Sequence, residues 1–328
     1  MILSFIAVLV LAAIAYAGVA MGNAQYLFGV IVPYAAVAVF IIGVVLRILK
    51  WAGSPNPFRI PTTCGQQKSF PWIKHSKLEN PSSTLGVLGR MALEVFLFRS
   101  LFRNIKTQMR EDGKVTYGEA KWLWLAGLAF HWTFLVILIR HFRFFTQQVP
   151  AAVQIIESLD SFMQIGVPLL YMTDVIFLAA VGYLFLRRIG IAQVRYISLA
   201  NDYFPLFLIF GIGLTGVLMR YFFKTDIVGV KNLTMSLVSF QPAVPQGIGV
   251  IFFIHLFLLC TLFAYFPFSK LVHMGGVFLS PTRVLANTSR IKRHINPWNY
   301  PVHVHTYEEY ENEFRDKMKK AGLPVEKE

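Results

Sequence analysis

Six apolar runs decide what this chain can fold into: A (2–20), B (26–48), C (121–144), D (164–186), E (203–222) and F (246–267). An α-helix needs about 20 such residues to cross the hydrocarbon core of a bilayer, and each run is of that order. The chain of 328 residues is 55% hydrophobic and only 15% charged. A water-soluble domain cannot hide that much apolar surface. In lipid it need not, because each helix satisfies its own backbone N–H and C=O groups. The expected fold class is therefore an all-α integral membrane protein, a helical bundle with about six transmembrane helices. Run A has the apolar core and small residues of a signal peptide, but it lacks a basic start and is read as a true span.

The net charge of +14 would suit a nucleic-acid binder, but its placement argues against one. Of 31 Lys and Arg residues, 26 fall in the B–C connection, the D–E turn and the segment after F, with Lys121 counted among them. The other five are Arg140, Arg143, Arg220, Lys224 and Lys231. Cytoplasmic loops carry such an excess. The N-terminus, the B–C loop, the D–E turn and the C-terminus are thus expected on the cytoplasmic side, and C and F run antiparallel. The division expected is helices A and B in 1–50, a partly interfacial cytoplasmic insertion over 51–120, helices C to F over 121–273, and a cytoplasmic tail over 274–328.

Of eight histidines, His75, His294, His303 and His305 fall in cytoplasmic segments. The other four lie in or at the ends of two spans, His131 and His141 on C, His255 and His273 on F. An ionisable side chain inside a membrane is a functional residue by default. Because C and F are antiparallel, His131 should pair with His273 on the cytoplasmic side, and His141 with His255 on the outer side. Two imidazoles facing across a gap can hold a heme iron from both sides. That leaves no open coordination position and suits electron transfer. The spacing of 10 residues on C is about 15 Å of helical rise and that of 18 on F about 27 Å. Tilt, or a kink at Pro267, must absorb the difference. Zinc is a weaker reading, since the pairs lie at different depths and no Cys or Glu-x-x-His motif joins them.

These residues resemble a known family. HWTFLVILIRH in C and HLFLLCTLFAYFPFSKLVH in F are similar to the gamma subunit of respiratory nitrate reductase, over about residues 26–285. The resemblance implies five spans, two stacked bis-histidine hemes b and quinol oxidation. The insertion 51–118 and run A depart from it. PTTCGQQKSFPWI (61–73) resembles the DsrM-type membrane subunit of the dissimilatory sulfite-reduction complex. That likeness implies menaquinol or a similar quinol as reductant and a cytoplasmic iron–sulfur partner of the heterodisulfide reductase type, together with other membrane and extracytoplasmic subunits. It also implies a place in the cytoplasmic membrane and a role as a redox subunit rather than a complete enzyme. The family's quinol-linked Gly before the second histidine is Arg140 here, and no Lys occurs in 145–162. The quinone pocket is therefore not transferable by residue, and the direction of electron flow stays open.

Arg140 and Arg143 flank His141 and offer forked donors to a heme propionate or a quinone oxygen, or else snorkel to the interface. Asp174 sits inside D, where a carboxylate needs a buried partner or a proton-relay role. Residues 85–106 fit an interfacial or a partner-facing segment. Cys260 reads as a packing residue, and Cys64 as a loop thiol or a contributor to a partner's site. Residues 306–320 open with a capping box and should form a cytoplasmic helix suited to docking. His303 and His305 are a weak metal signal. The rival classes are a one-heme cytochrome, the quinol-oxidising anchor of another respiratory reductase, and a transporter or anchor with structural histidines. A transporter would more often show inverted repeats, and none is visible.

Overall fold

In the computed structural model, residues 1–55, 59–60, 65–102, 106–118, 120–161, 169–291 and 301–327 are described. The helices are α1 (Ile2–Ala20), α2 (Val32–Ala52, entered through a π-turn at Leu27–Ile31), α3 (Thr84–Leu97) and α4 (Arg99–Phe102). The hairpin β1 (Lys106–Met109) and β2 (Val115–Gly118) follows. Then come α5 (Lys121–His141), α6 (Ala151–Asp160), α7 (Met172–Gly190), α8 (Ala192–Ile197), α9 (Ala200–Tyr221) and α10 (Ile227–Val238). The chain ends with α11 (Val250–Tyr265), α12 (His273–Gly276) and α13 (Tyr307–Lys320).

Five helices are long and apolar enough to span a membrane: Ile2–Ala20, Leu27–Ala52, Lys121–Phe144, Ala200–Tyr221 and Val250–Phe268. They match runs A, B, C, E and F. Run D is α7, a 19-residue helix that packs between α5 and α9 within the bundle. It is not among the five because Asp174 in its first turn and Arg187 and Arg188 in its last give it more charge than the apolar stretches of those helices carry. It begins at Met172, and residues 164–168 of the expected run lie outside the described residues. Around the bundle, Phe5, Leu9, Ile42 and Leu46 stand exposed. A continuous apolar surface of this kind suits lipid.

The bundle is a curved row. α5 packs on α7, α7 on α9, and α9 on α11 and α1, while α1 and α2 back α11. One core gathers Val8, Phe177, Val181, Leu208, Ile209, Leu258 and Leu262 from four of these helices. A second joins Ala15, Val19, Phe28, Leu233 and Phe253. Among the described residues, α5 and α11 are not packed along each other.

Run F does not continue as a kinked helix through Pro267. Helix α11 ends at Tyr265 in a 3-10 turn over Phe266–Phe268. Ser269 is extended (φ −111, ψ 176), and a second 3-10 turn, Lys270–Val272, leads into α12. Proline cannot donate the hydrogen bond that would carry the helix on. The continuous helical rise expected between His255 and His273 is thus interrupted after Tyr265. Gly43 makes the turn possible, because a Cβ there would stand 2.6 Å from Pro267 Cβ.

The segments around Asn80 and Asn287 form one unit. The Asn287 amide N–H donates to Pro81 O at 2.7 Å, and its side chain donates to Asn80 Oδ1 at 3.0 Å. The expected 85–106 segment is two pieces, α3 and α4, broken at Phe98 in the left-handed region (φ 49). The expected tail helix is α13, capped by Thr306 and Glu309. Cys260 is buried and free, whereas Cys64 lies outside the described residues.

Candidate heme and electron-transfer site

His131 and His273 meet across the gap between α5 and α12, with ring centroids 6.1 Å apart and planes at 83°. His131 is flanked edge-on by Phe98 and Phe130, at 4.8 and 4.9 Å. His141, the last residue of α5, lies within electrostatic reach of His255 in the middle of α11. The structure thus brings His131 and His273 together, one of the two expected pairs.

Each imidazole is anchored through the same nitrogen. His131 Nδ1 lies 2.7 Å from Gly127 O, His141 Nδ1 2.7 Å from Ile137 O, and His273 Nδ1 2.9 Å from Lys270 O. A carbonyl can only accept, so Nδ1 carries the proton and Nε2 keeps its lone pair. His255 Nδ1 lies 2.9 Å from Thr215 Oγ1. That hydroxyl already donates to Gly211 O at 2.8 Å, which leaves its oxygen to accept from the ring. Metal-binding histidines are oriented in this way, with the far N–H bonded and the near nitrogen free. The rings of His131, His141 and His273 are exposed and that of His255 half-buried, so no packed side chains close the gap. The donor set and tautomers of the four rings, and the spacing of His131 and His273, fit bis-histidine ligation of a heme b.

Beside His141 lies a buried charge network. Arg140 is 7% exposed. Its Nε lies 3.2 Å from Asp160 Oδ2 and its Nη2 donates to Asp174 Oδ1 at 2.7 Å. Tyr221 donates to Asp174 Oδ2 at 3.0 Å. Asp160 also accepts from the Thr173 amide and hydroxyl, fixing the start of α7. The Tyr171 ring lies between Arg140 and Arg220, at 3.8 and 3.9 Å. Arg143 pairs with Glu157 at 2.9 Å. Both arginines expected to face a propionate or a quinone are therefore engaged by carboxylates. Asp174, expected to need a buried partner, has two.

Sequence reading did not single out Asp160, Tyr171, Tyr221 or Thr215. Asp160 ends a short amphipathic helix, 20 residues from Arg140 along the chain, and nothing local marks the pair. Thr215 carried a weak signal as a polar residue within a span. The Asp174 end of α7 and the end of α9 border an open, mainly apolar groove of about 290 Å³ lined by Leu170, Val175, Leu178, Val217 and Phe222. On the tail, His303, His305 and Glu309 place ligand atoms within 4.8 Å of one another, all three side chains being exposed.

The model of the nitrate reductase gamma subunit family matches residues 85–294, well over half of the chain. The chain belongs to that family. Two relatives extend the match toward the N-terminus. An Archaeoglobus fulgidus protein named Hdr-like menaquinol oxidoreductase cytochrome b-like subunit is 46% identical over 280 residues, 83% of each chain. A protein of the same name from Archaeoglobus profundus is 43% identical over 286 residues, covering 85% of this chain and 84% of that one. For a nitrate reductase gamma subunit family member, multi-pass insertion in a membrane follows from the five apolar helices. The family match also covers all four histidines of the two pairs.

Proposed function

We propose that this protein is a di-heme b membrane subunit that takes electrons from menaquinol and passes them to a cytoplasmic iron–sulfur protein of the heterodisulfide reductase type. The carrying observation is the common anchoring of the four imidazoles, each with Nδ1 bonded and Nε2 free, together with the facing of His131 and His273. His131 and His273 hold the cytoplasmic-side heme, and His141 and His255 the outer one. A heme b bound there supplies a one-electron carrier with both axial positions filled.

The protein's part is to orient and insulate. Gly127, Ile137, Lys270 and Thr215 fix the ring tautomers, and the apolar bundle keeps water from the path between the pairs. Menaquinol docks toward the outer pair, near the ends of α5, α7 and α11. The names of the two Archaeoglobus relatives support menaquinol as reductant and a multi-subunit setting. Electrons leave on the cytoplasmic side through a partner held by 51–120 and 274–328, whose joining at Asn80 and Asn287 supports a single docking unit. Both termini lie on that side of the cytoplasmic membrane. A role in sulfite or sulfate respiration rests on the PTTCGQQKSFPWI likeness alone.

The test is a dithionite-reduced minus oxidised spectrum of the purified, heme-supplied protein with pyridine-hemochrome quantitation. Two b-type hemes per chain are expected, and His131→Ala and His141→Ala should each remove about half of the signal. A folded preparation without heme would return the histidines to a structural role.

A further inference from the structure

We propose that His303, His305 and Glu309 form a binding site for a divalent transition-metal ion, and that zinc fits these donors best. None of the four histidines assigned to heme takes part, so the site stands apart from the di-heme reading.

Two short pieces of backbone build it. Residues 301–306 run into α13 without helix or strand. In extended chain, residues two apart face the same way. His303 and His305 do so, with ring centroids 4.8 Å apart and planes at 83°. Val304 between them is 85% exposed. Thr306 then caps α13. Its hydroxyl accepts from the Glu309 amide at 3.3 Å, and Glu309 Oε2 accepts from the Thr306 amide at 2.9 Å. This reciprocal cap holds the Glu309 carboxylate back over the residue that follows His305. The second carboxylate oxygen stays available to a ligand.

The three side chains place ligand atoms within 4.8 Å of one another. Zinc bonds imidazole nitrogen and carboxylate oxygen at about 2.0–2.2 Å, which sets neighbouring corners of its tetrahedron about 3.3 Å apart. Exposed side chains close that difference by small rotations. Two imidazoles with one carboxylate suit zinc, whereas magnesium and calcium take oxygen donors. Three protein donors leave the fourth position to water.

A helix N-terminus by itself disfavours a cation. Here Glu308 and Glu309 occupy that first turn, and Glu313 Oε2 lies 3.9 Å from His305 Nδ1. These carboxylates reverse the local field. A carboxylate beside a ligating imidazole also fixes its orientation and raises its basicity. Once bound, the ion ties the segment before α13 to the first turn of that helix.

The experiment uses the full, heme-loaded chain in lipid nanodiscs, purified without a histidine tag and stripped with a chelator. Equilibrium dialysis against buffered free zinc, followed by metal analysis, should show one zinc ion per chain besides the heme iron. Glu309→Gln keeps the cap, because Gln serves in a capping box as Glu does, yet removes the charged ligand. Glu309→Gln and His303→Ala should each weaken zinc binding by at least about 10- to 100-fold, the loss that follows removal of an outer partner alone. His75→Ala should leave binding unchanged. Hydrogen exchange at the His305 amide should slow when zinc is added to the parent, and not in Glu309→Gln or His303→Ala. Zinc held equally by the parent and these two variants overturns the proposal. So does a parent chain that holds none at micromolar free ion. Failure of the di-heme reading would change the heme count and leave these differences in place.

Discussion

The Thr215 hydroxyl of α9 lies 2.9 Å from His255 Nδ1 of α11, so one span sets the ring of another. Hydrogen bonds of this kind hold metal ligands in place, and their loss costs about 10- to 100-fold in metal affinity or activity. Thr215→Val should therefore weaken retention of the outer heme by a factor in that range, while Thr215→Ser restores it. Heme loss to a scavenger, followed by absorbance, would check this. Equal loss from both sites would argue against so local a role.

Gly43 and Pro267 meet where a Cβ has no room. Overpacking of this kind costs about 1–3 kcal/mol, because backbone must move. Gly43→Ala should lower the thermal midpoint in detergent. It should also deplete the inner heme before the outer one, since Pro267 directs the chain toward His273. A variant that retains both hemes and its midpoint would show that the contact yields easily.

Arg140 neutralises two carboxylates at once. Removing a buried charge that has partners costs about 3–5 kcal/mol, because it leaves them uncompensated. Arg140→Met should thus destabilise the bundle more than Asp174→Asn, which leaves an intact Arg140–Asp160 pair. Thermal unfolding of the two variants side by side gives the ranking. The reverse order would place the stabilising contact on Tyr221 and Asp174 instead.

At the C-terminus, Glu311 of α13 accepts from the backbone N–H groups of Glu326 and Lys327 and pairs with Arg315. These bonds, that from Glu326 first, hold its carboxyl below the ordinary range. A group whose folded pKa is depressed contributes stability above its unfolded pKa and loses it as pH falls through the folded value. The fold-back of 326–327 onto α13 should therefore be intact at neutral pH and open in acid, below the usual carboxylate range. Hydrogen exchange at the Glu326 and Lys327 amides should show this opening, and Glu311→Gln should abolish its pH dependence.

The spans were legible because lipid imposes a coarse rule of length and hydropathy, and run A coincides with α1 residue for residue. The meeting of His131 with His273 was legible too, from their places on C and F. What sequence could not supply came from contacts between distant segments. Asp160 meets Arg140 only because α6 folds back on the end of α5. The break after Tyr265 was read as a kink, since proline alone does not say whether a helix bends or stops; the extended Ser269 decides it.

Ser269 also gives the two histidines of run F different mechanical characters. His255 is carried in the body of α11, and every hydrogen-bonded turn on either side resists its displacement. His273 hangs from a short tether of 3-10 turns. Strain applied at the His273 end can therefore be taken up there without reaching His255, so one ring keeps a fixed geometry whatever presses on the other.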